Sequence, residues 1–159
     1  MRKTKDAIKV KGFYRLQIVE GGKIVGDSGY KQNLVTNDGF NNFLCKLLGA
    51  LSGSSQVGYV AIGTGGAPAA TDTTLAGEIM SSTKKTAVTA ASSSNSKTVR
   101  FTATYSSSNS FTTATYNISN MGLFASTQST ATLFAGNTYS SSKLDTNQDL
   151  NITYDIGFA

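Results

Sequence analysis

One helical period interrupts a chain that otherwise alternates residue by residue. Phe40, Phe43, Leu44, Leu47, Leu48 and Leu51 fall at i, i+3, i+4, i+7, i+8 and i+11, the spacing that lines one face of an α-helix. Asn37 or Asp38 stands where a side-chain oxygen caps free backbone N–H groups, and Ser52-Gly53 follows as a stop. The spacing predicts an amphipathic helix over about 38–51. Burying six such side chains is worth ~1.5 to 3 kcal/mol each, so the helix is expected to lie across a sheet and close one end or face of the core. An oligomer seam along the stripe is the sharper reading, and it requires the stripe to be exposed. A lone helix in a β domain is not expected to leave six large apolar groups uncovered.

The rest of the chain has the period of strands. From Ile8 to Glu20, Ile8, Val10, Gly12, Tyr14, Leu16 and Ile18 alternate with Lys9, Lys11, Phe13, Arg15 and Gln17, which is the pattern of a half-buried strand. Gly21-Gly22 tolerates the positive φ of a two-residue turn, and Lys23 to Val25 returns. Asn33 to Thr36 is a short extended piece. Val57 to Gly63 is apolar on both faces and is placed centrally. Beyond Met80 the expectation is a meander of Lys85–Ala91, Thr98–Tyr105 and Phe111–Ile118, joined by two copies of one turn at 92–96 and 106–110. Asn120–Ala125, Thr130–Tyr139 and Gln148–Phe158 complete it. Ser, Thr and Gly fill the space left by a hydrophobic fraction of 39%, which argues against a helical bundle and for exposed turns. The fold class is therefore mainly β: an antiparallel, jelly-roll-like sandwich of about eight or nine strands with one helix packed against it. At 159 residues the chain suits a single domain, with residues 1–7 as a basic tail.

The chemistry that such a chain can perform is narrow. It contains no His, which removes the commonest general base and zinc ligand, and its one Cys, Cys45, excludes an internal disulfide. Without His, only a Lys such as Lys84 or Lys85 is left to activate a serine, and no carboxylate pair has the spacing of a shared acid and base. The glycines of GTGGAPAAT lack the Lys and Ser or Thr of a phosphate loop. Asp145, Asn147 and Asp149 alternate as in a calcium loop, but Leu150 stands in place of its turn Gly and no Glu follows at the twelfth position. The expectation is a non-enzymatic chain with no catalytic residue, metal or cofactor. No apolar run approaches the ~18 residues of a membrane span, and MRKTKDAIKVKG has no apolar core behind its charges, so neither membrane nor secretory signal is expected.

Charge is unevenly placed. Residues 1–31 hold eight basic and three acidic side chains, which accounts for the whole net charge of +5, while the remainder is balanced at six and six. A basic end on a neutral body points to an acidic partner surface, with Arg2, Lys3, Lys5, Lys9 and Lys11 as interface candidates. Nucleic acid is not the expected partner, because only Phe13 and Tyr14 interleave with these charges. Ser94, Asn95, Ser108 and Asn109, in the repeated turns, are candidates for touching a glycan, although no aromatic platform accompanies them.

The succession NLVTNDG, an apolar helix, YVAIGTGG, TTLAGE, NMGLF, TLFAG and a terminal alternating strand resembles a family of small virion proteins of tailed bacteriophages. The match covers about Asn33 to Phe158 and departs from the pattern at Asn120 and Met121, where an acidic residue often stands, and after Glu78, where no Arg follows. The resemblance implies a β-sandwich subunit without enzymatic activity, made in the host cytoplasm and assembled on the virion. As a capsid decoration protein, or as a tail or fibre component, it would bind major capsid or tail proteins. It also implies a homo-oligomer, with a trimer favoured.

Overall fold

The computed structural model describes residues 9–79, 85–93, 96–109, 114–128 and 130–159. These form ten strands, one short helical segment and a single 3-10 turn at Ser107–Asn109. In β1 (Val10–Glu20) the expected alternation holds: Gly12, Tyr14, Leu16 and Ile18 are buried, and Lys11 and Phe13 are exposed. Gly21 and Gly22 both take positive φ, 54° and 77°, the pair of left-handed residues that a tight hairpin turn demands. The returning strand β2 (Lys23–Asp27) buries nothing completely and pairs with β1 as a flap off the main path.

Ten registered positions join β1 to β10 (Asp149–Phe158), and eight join β10 to β7 (Thr98–Tyr105), so β10 is the best-held strand. Its Leu150, Ile152, Tyr154 and Ile156 are all buried, as alternation predicts. On the other side β4 (Tyr59–Gly63) pairs with β8 (Tyr116–Phe124), and β8 with β9 (Leu133–Leu144). Two places connect these halves. In β3 (Lys31–Val35), residues 31–33 pair with β1 and residues 34–35 with β9. β5 (Thr86–Ala87) and β6 (Thr89–Ala91) end the path on opposite sides, pairing with β4 and β7, yet only Val88 separates them. The antiparallel sheet therefore curls until its two ends meet, nearly a barrel.

Tyrosines span the interior of that curl. Tyr14 packs on Tyr154 with ring centroids 6.0 Å apart and donates its hydroxyl to the Thr138 carbonyl on β9. Tyr105 on β7 donates to the Val60 carbonyl on β4 at 2.6 Å. Asn33 lies over Gly12, where any Cβ would collide with it, and its amide donates to the Tyr154 hydroxyl. Burial pushes the Tyr14 pKa up to about 12 and raises those of Tyr105 and Tyr154, because an ionised phenol loses its hydration there.

Four expectations are corrected. The chain beyond Met80 is not a meander, since the second serine-rich turn leads from β7 to β8, which lie in different halves and do not pair. The segments ending at Ile118 and beginning at Asn120 are one strand, β8, with its register shifted between Ile118 and Asn120. β9 runs five residues past Tyr139. Phe111, the expected start of one strand, lies outside the described residues.

The fourth correction concerns the helix, which spans 37–48 rather than about 38–51 and is not a plain α-helix. Gly39–Cys45 is π-helical, and Lys46–Leu48 adds a short α-helical end. Neither Asn37 nor Asp38 caps it. The cap is the buried Thr36, whose hydroxyl accepts the Gly39 N–H at 3.0 Å and donates to the Leu133 carbonyl at 2.5 Å. The expected stripe is only partly laid on the sheet: Phe43 is buried, with its ring 5.1 Å from Phe134, but Phe40, Leu47, Leu48 and Leu51, the last beyond the helix end, are exposed.

A candidate interaction surface

The helical segment leaves β3 where that strand crosses between the two halves, so its position follows from the sheet. Phe43 anchors it against Phe134 of β9, and Leu44 is half-buried. Beneath its C-terminal half the contact is loose, with a hollow of about 300 Å³ between Phe43, Leu44 and Leu47 on the helix and Phe101, Ile156 and Phe158 on the strands. On the outer side a second groove of about 610 Å³ runs between Phe40, Leu44, Cys45, Leu47 and Leu48 and the strand residues Val10 and Phe158. Among the described residues no charged side chain lines it. Exposure of the large side chains is 40% for Phe40, 51% for Leu47, 91% for Leu48 and 58% for Leu51. Together these four side chains expose on the order of 400 Å², the size of the largest apolar patch on a typical monomer, which is often functional.

Of the basic candidates, Arg2, Lys3 and Lys5 lie outside the described residues. Lys9 and Lys11 are exposed at the start of β1, where the Lys9 backbone exchanges bonds of 2.7 and 2.9 Å with Ala159. Neither lysine has an acidic partner among the described residues. Farther along the same outer face the charge is neutralised: Arg15 forks onto Asp27 at 3.0 and 2.5 Å, and Arg100 onto Asp155 at 2.8 Å twice. The Arg15 guanidinium, aided by the Gly29 N–H, holds the Asp27 carboxyl well below the usual carboxylate range.

The two serine-rich turns do not converge. One precedes β7 at Thr98 and the other follows it at Tyr105, so they stand roughly 23 Å apart at opposite ends of one strand. Ser94 and Asn95 lie outside the described residues, while their neighbours Ser92 and Ser96 donate to the Thr98 carbonyl at 2.9 and 3.3 Å. At the far end Ser108 is exposed and bonded to Ser106 at 2.8 Å, and Asn109 closes the short turn Ser107–Asn109. Beside the first turn, Ser92, Ser93, Ser96, Thr98, Arg100 and Asp155 surround a polar hollow of about 540 Å³.

Several residues with side chains capable of chemistry are committed to structure. Lys85 is buried, with Nζ 3.1 Å from Glu78 Oε1, off the hydrogen-bond direction, 3.1 Å from the Gln128 carbonyl and over the Phe124 ring. Glu78 thereby pairs with a basic residue, and the pair is largely shielded from solvent. The glycines of GTGG pack against that turn, where a Cβ at Gly63 or Gly65 would strike the backbone of Ala76. Asn120, noted in sequence only as a departure from the virion-protein pattern, clamps the two loops by donating to the Gly66 and Ala76 carbonyls. Asp145 accepts from Thr115 and faces Lys143, whereas Asp149 accepts from Ser107, so the two carboxylates serve different partners. No cluster of three metal-ligating side chains occurs among the described residues, and no helix there is long and apolar enough to cross a membrane.

Comparison with family models, with curated proteins and with solved structures returns no match for this chain.

Proposed function

We propose that this chain is a non-enzymatic structural protein of a tailed-phage virion, most simply a capsid decoration protein that binds neighbouring subunits and stabilises the particle. The observation that carries the reading is the uncovered helix face, an apolar surface with the dimensions of a contact. The resemblance of Asn33–Phe158 to small virion proteins supplies the setting. A homo-oligomer follows naturally from such a face. The curled sheet is read as a flattened, jelly-roll-like sandwich whose two halves are bridged by β3 and by β5 with β6, and the basic end, with Lys9 and Lys11 at its root, reaches an acidic neighbouring subunit.

The test is occupancy. Particles assembled with the full chain are compared with particles assembled with a chain lacking residues 1–11, at low and raised salt. Electrostatic attachment predicts lower occupancy for the truncated chain and a salt sensitivity that only the full chain shows, because the Debye length is ~8 Å at physiological ionic strength. Unchanged occupancy at raised salt removes the role of the basic end, and no binding by either chain removes the virion reading.

A second reading, a glycan-binding tail or fibre component, is favoured by the hydroxyl-lined hollow beside Arg100 and Asp155. A glycan array separates it from the first. Binding that is lost in Arg100→Ala supports it, and silence from a folded protein counts against it.

A further inference from the structure

The exposed helix face also indicates what covers it. Leu48 stands almost free of its own chain, 91% exposed, at the lip of the groove between Phe40, Leu44, Val10 and Phe158. A projecting side chain and a recess thus lie on one patch, and two copies related by a two-fold axis fill both recesses with one contact, residue i meeting j as j meets i. We propose that this face is the seam of a symmetric pair of chains, each seating its Leu48 in the groove of the other. The proposal rests on the reading of the chain as a self-associating structural subunit and names the partner as a second copy.

Area supports the assignment. A stable interface takes about 800 Å² from each partner, of which roughly 500 Å² is apolar in homodimers. The exposed parts of Leu47, Leu48 and Leu51 amount to two whole leucines, and Phe40 adds two-fifths of a phenylalanine. Together with Val10 and Phe158 at the rim, this reaches what a pair requires. Charge supports it as well. The net charge of +5 resides in residues 1–31, and among the described residues no charged side chain lines the groove, so two copies meeting there set no like charges against each other in its lining. The chain's own first eight residues are a poorer occupant, since MRKTKDAI would bring Arg2, Lys3, Lys5 and Asp6 to an uncharged recess.

Sedimentation of the purified full chain, free of particles, tests this. The expected mass is twice the 16.6 kDa of one chain. Leu48→Asp is expected to weaken pairing about a hundredfold or more by placing a carboxylate in each groove, and to run as a single chain. Because Leu48 touches so little of its own fold, the variant keeps the wild-type circular dichroism. Val25→Asp, on the flap β2 where Val25 is 57% exposed, is expected to leave the doubled mass unchanged. A wild-type chain that stays single up to about millimolar concentration, or pairing that survives Leu48→Asp, overturns the proposal. So does a threefold mass, which requires a ring of unlike contacts, or a chain that pairs only after residues 1–8 are removed, which makes the tail the occupant. A single chain that still decorates particles overturns the pairing and leaves the virion reading standing, and a pair that never binds particles does the reverse.

Discussion

Strand β10 and the helical segment 37–48 present equally clear apolar stripes in sequence, and the fold treats them oppositely. Leu150, Ile152, Tyr154 and Ile156 all enter the core, whereas four of the six stripe residues from Phe40 to Leu51 stay exposed. The difference lies in how each period is enforced. A strand hydrogen-bonded on both sides cannot rotate about its axis, so alternate residues share one face along its whole length. The turns of a helix are bonded within the helix, so only side-chain packing draws its stripe onto the sheet, and here that packing rests on Phe43 against Phe134. What the sheet holds inside, the helix presents outside.

High pH is expected to have the largest effect, because tyrosines lock the sheet side. Tyr14, Tyr105, Tyr139 and Tyr154 all have pKa values raised by burial, that of Tyr14 to about 12. A raised folded pKa stabilises the fold fully below the unfolded value of ~10, and that contribution is lost as the pH rises through the folded value. Tyrosinate absorbance should therefore show these four silent at pH ~11 and appearing together as the protein unfolds. Their appearance while the far-ultraviolet signal is still native would mean that the core is looser than described.

Equal truncations on the two stripes set the comparison directly. Leu150→Ala empties a fully buried site and is expected to cost ~2 to 5 kcal/mol in chemical denaturation. Leu48→Ala in the unpaired chain is expected to stay within about 0.5 kcal/mol. Similar costs would place Leu48 in a core that the structure does not show. Smaller still than the Leu150 effect, Thr36→Val removes the cap hydroxyl while keeping the shape, at about 1 kcal/mol, with faster hydrogen exchange in 37–48 and unchanged exchange in β10.

The smallest expected change is at Asp27, on the exposed outer face. Its lowered pKa means that its contribution is present above about pH 4 and lost as the pH falls through the folded value, with solvent screening keeping it slight. Asp27→Asn should loosen the β1–β2 flap in hydrogen exchange and leave global stability within about 0.5 kcal/mol. A larger loss would make the flap part of the core.

The strands were readable where one face is buried and the other wet, as in β1, β7 and β10, because alternation and burial coincide there. The repeated turn was misleading, since identical serine-rich sequences make a hairpin at 92–96 and a crossing between halves at 106–110, and local composition carries no word of which strand pairs next. The helix was legible as a helix through Phe40 to Leu51, but its cap, Thr36, is tied to the Leu133 carbonyl, a contact 97 residues away in the chain. The stripe was thus visible, and the direction in which it faces was not. The clamp by Asn120 went unseen for the same reason, as its partners lie 44 and 54 residues before it.

Cys45, the chain's only cysteine, is exposed and lines the groove, so its thiol reports directly on whether that face is covered. The measurement is the rate of Cys45 modification by a small thiol reagent across a dilution series, in wild type and in Leu48→Asp. The account predicts rapid modification when dilute, progressive protection as copies meet, and rapid modification at every concentration in Leu48→Asp. A wild-type rate that is the same at all concentrations would contradict it, whether slow, from cover by the chain itself, or fast, from a face that no second copy reaches.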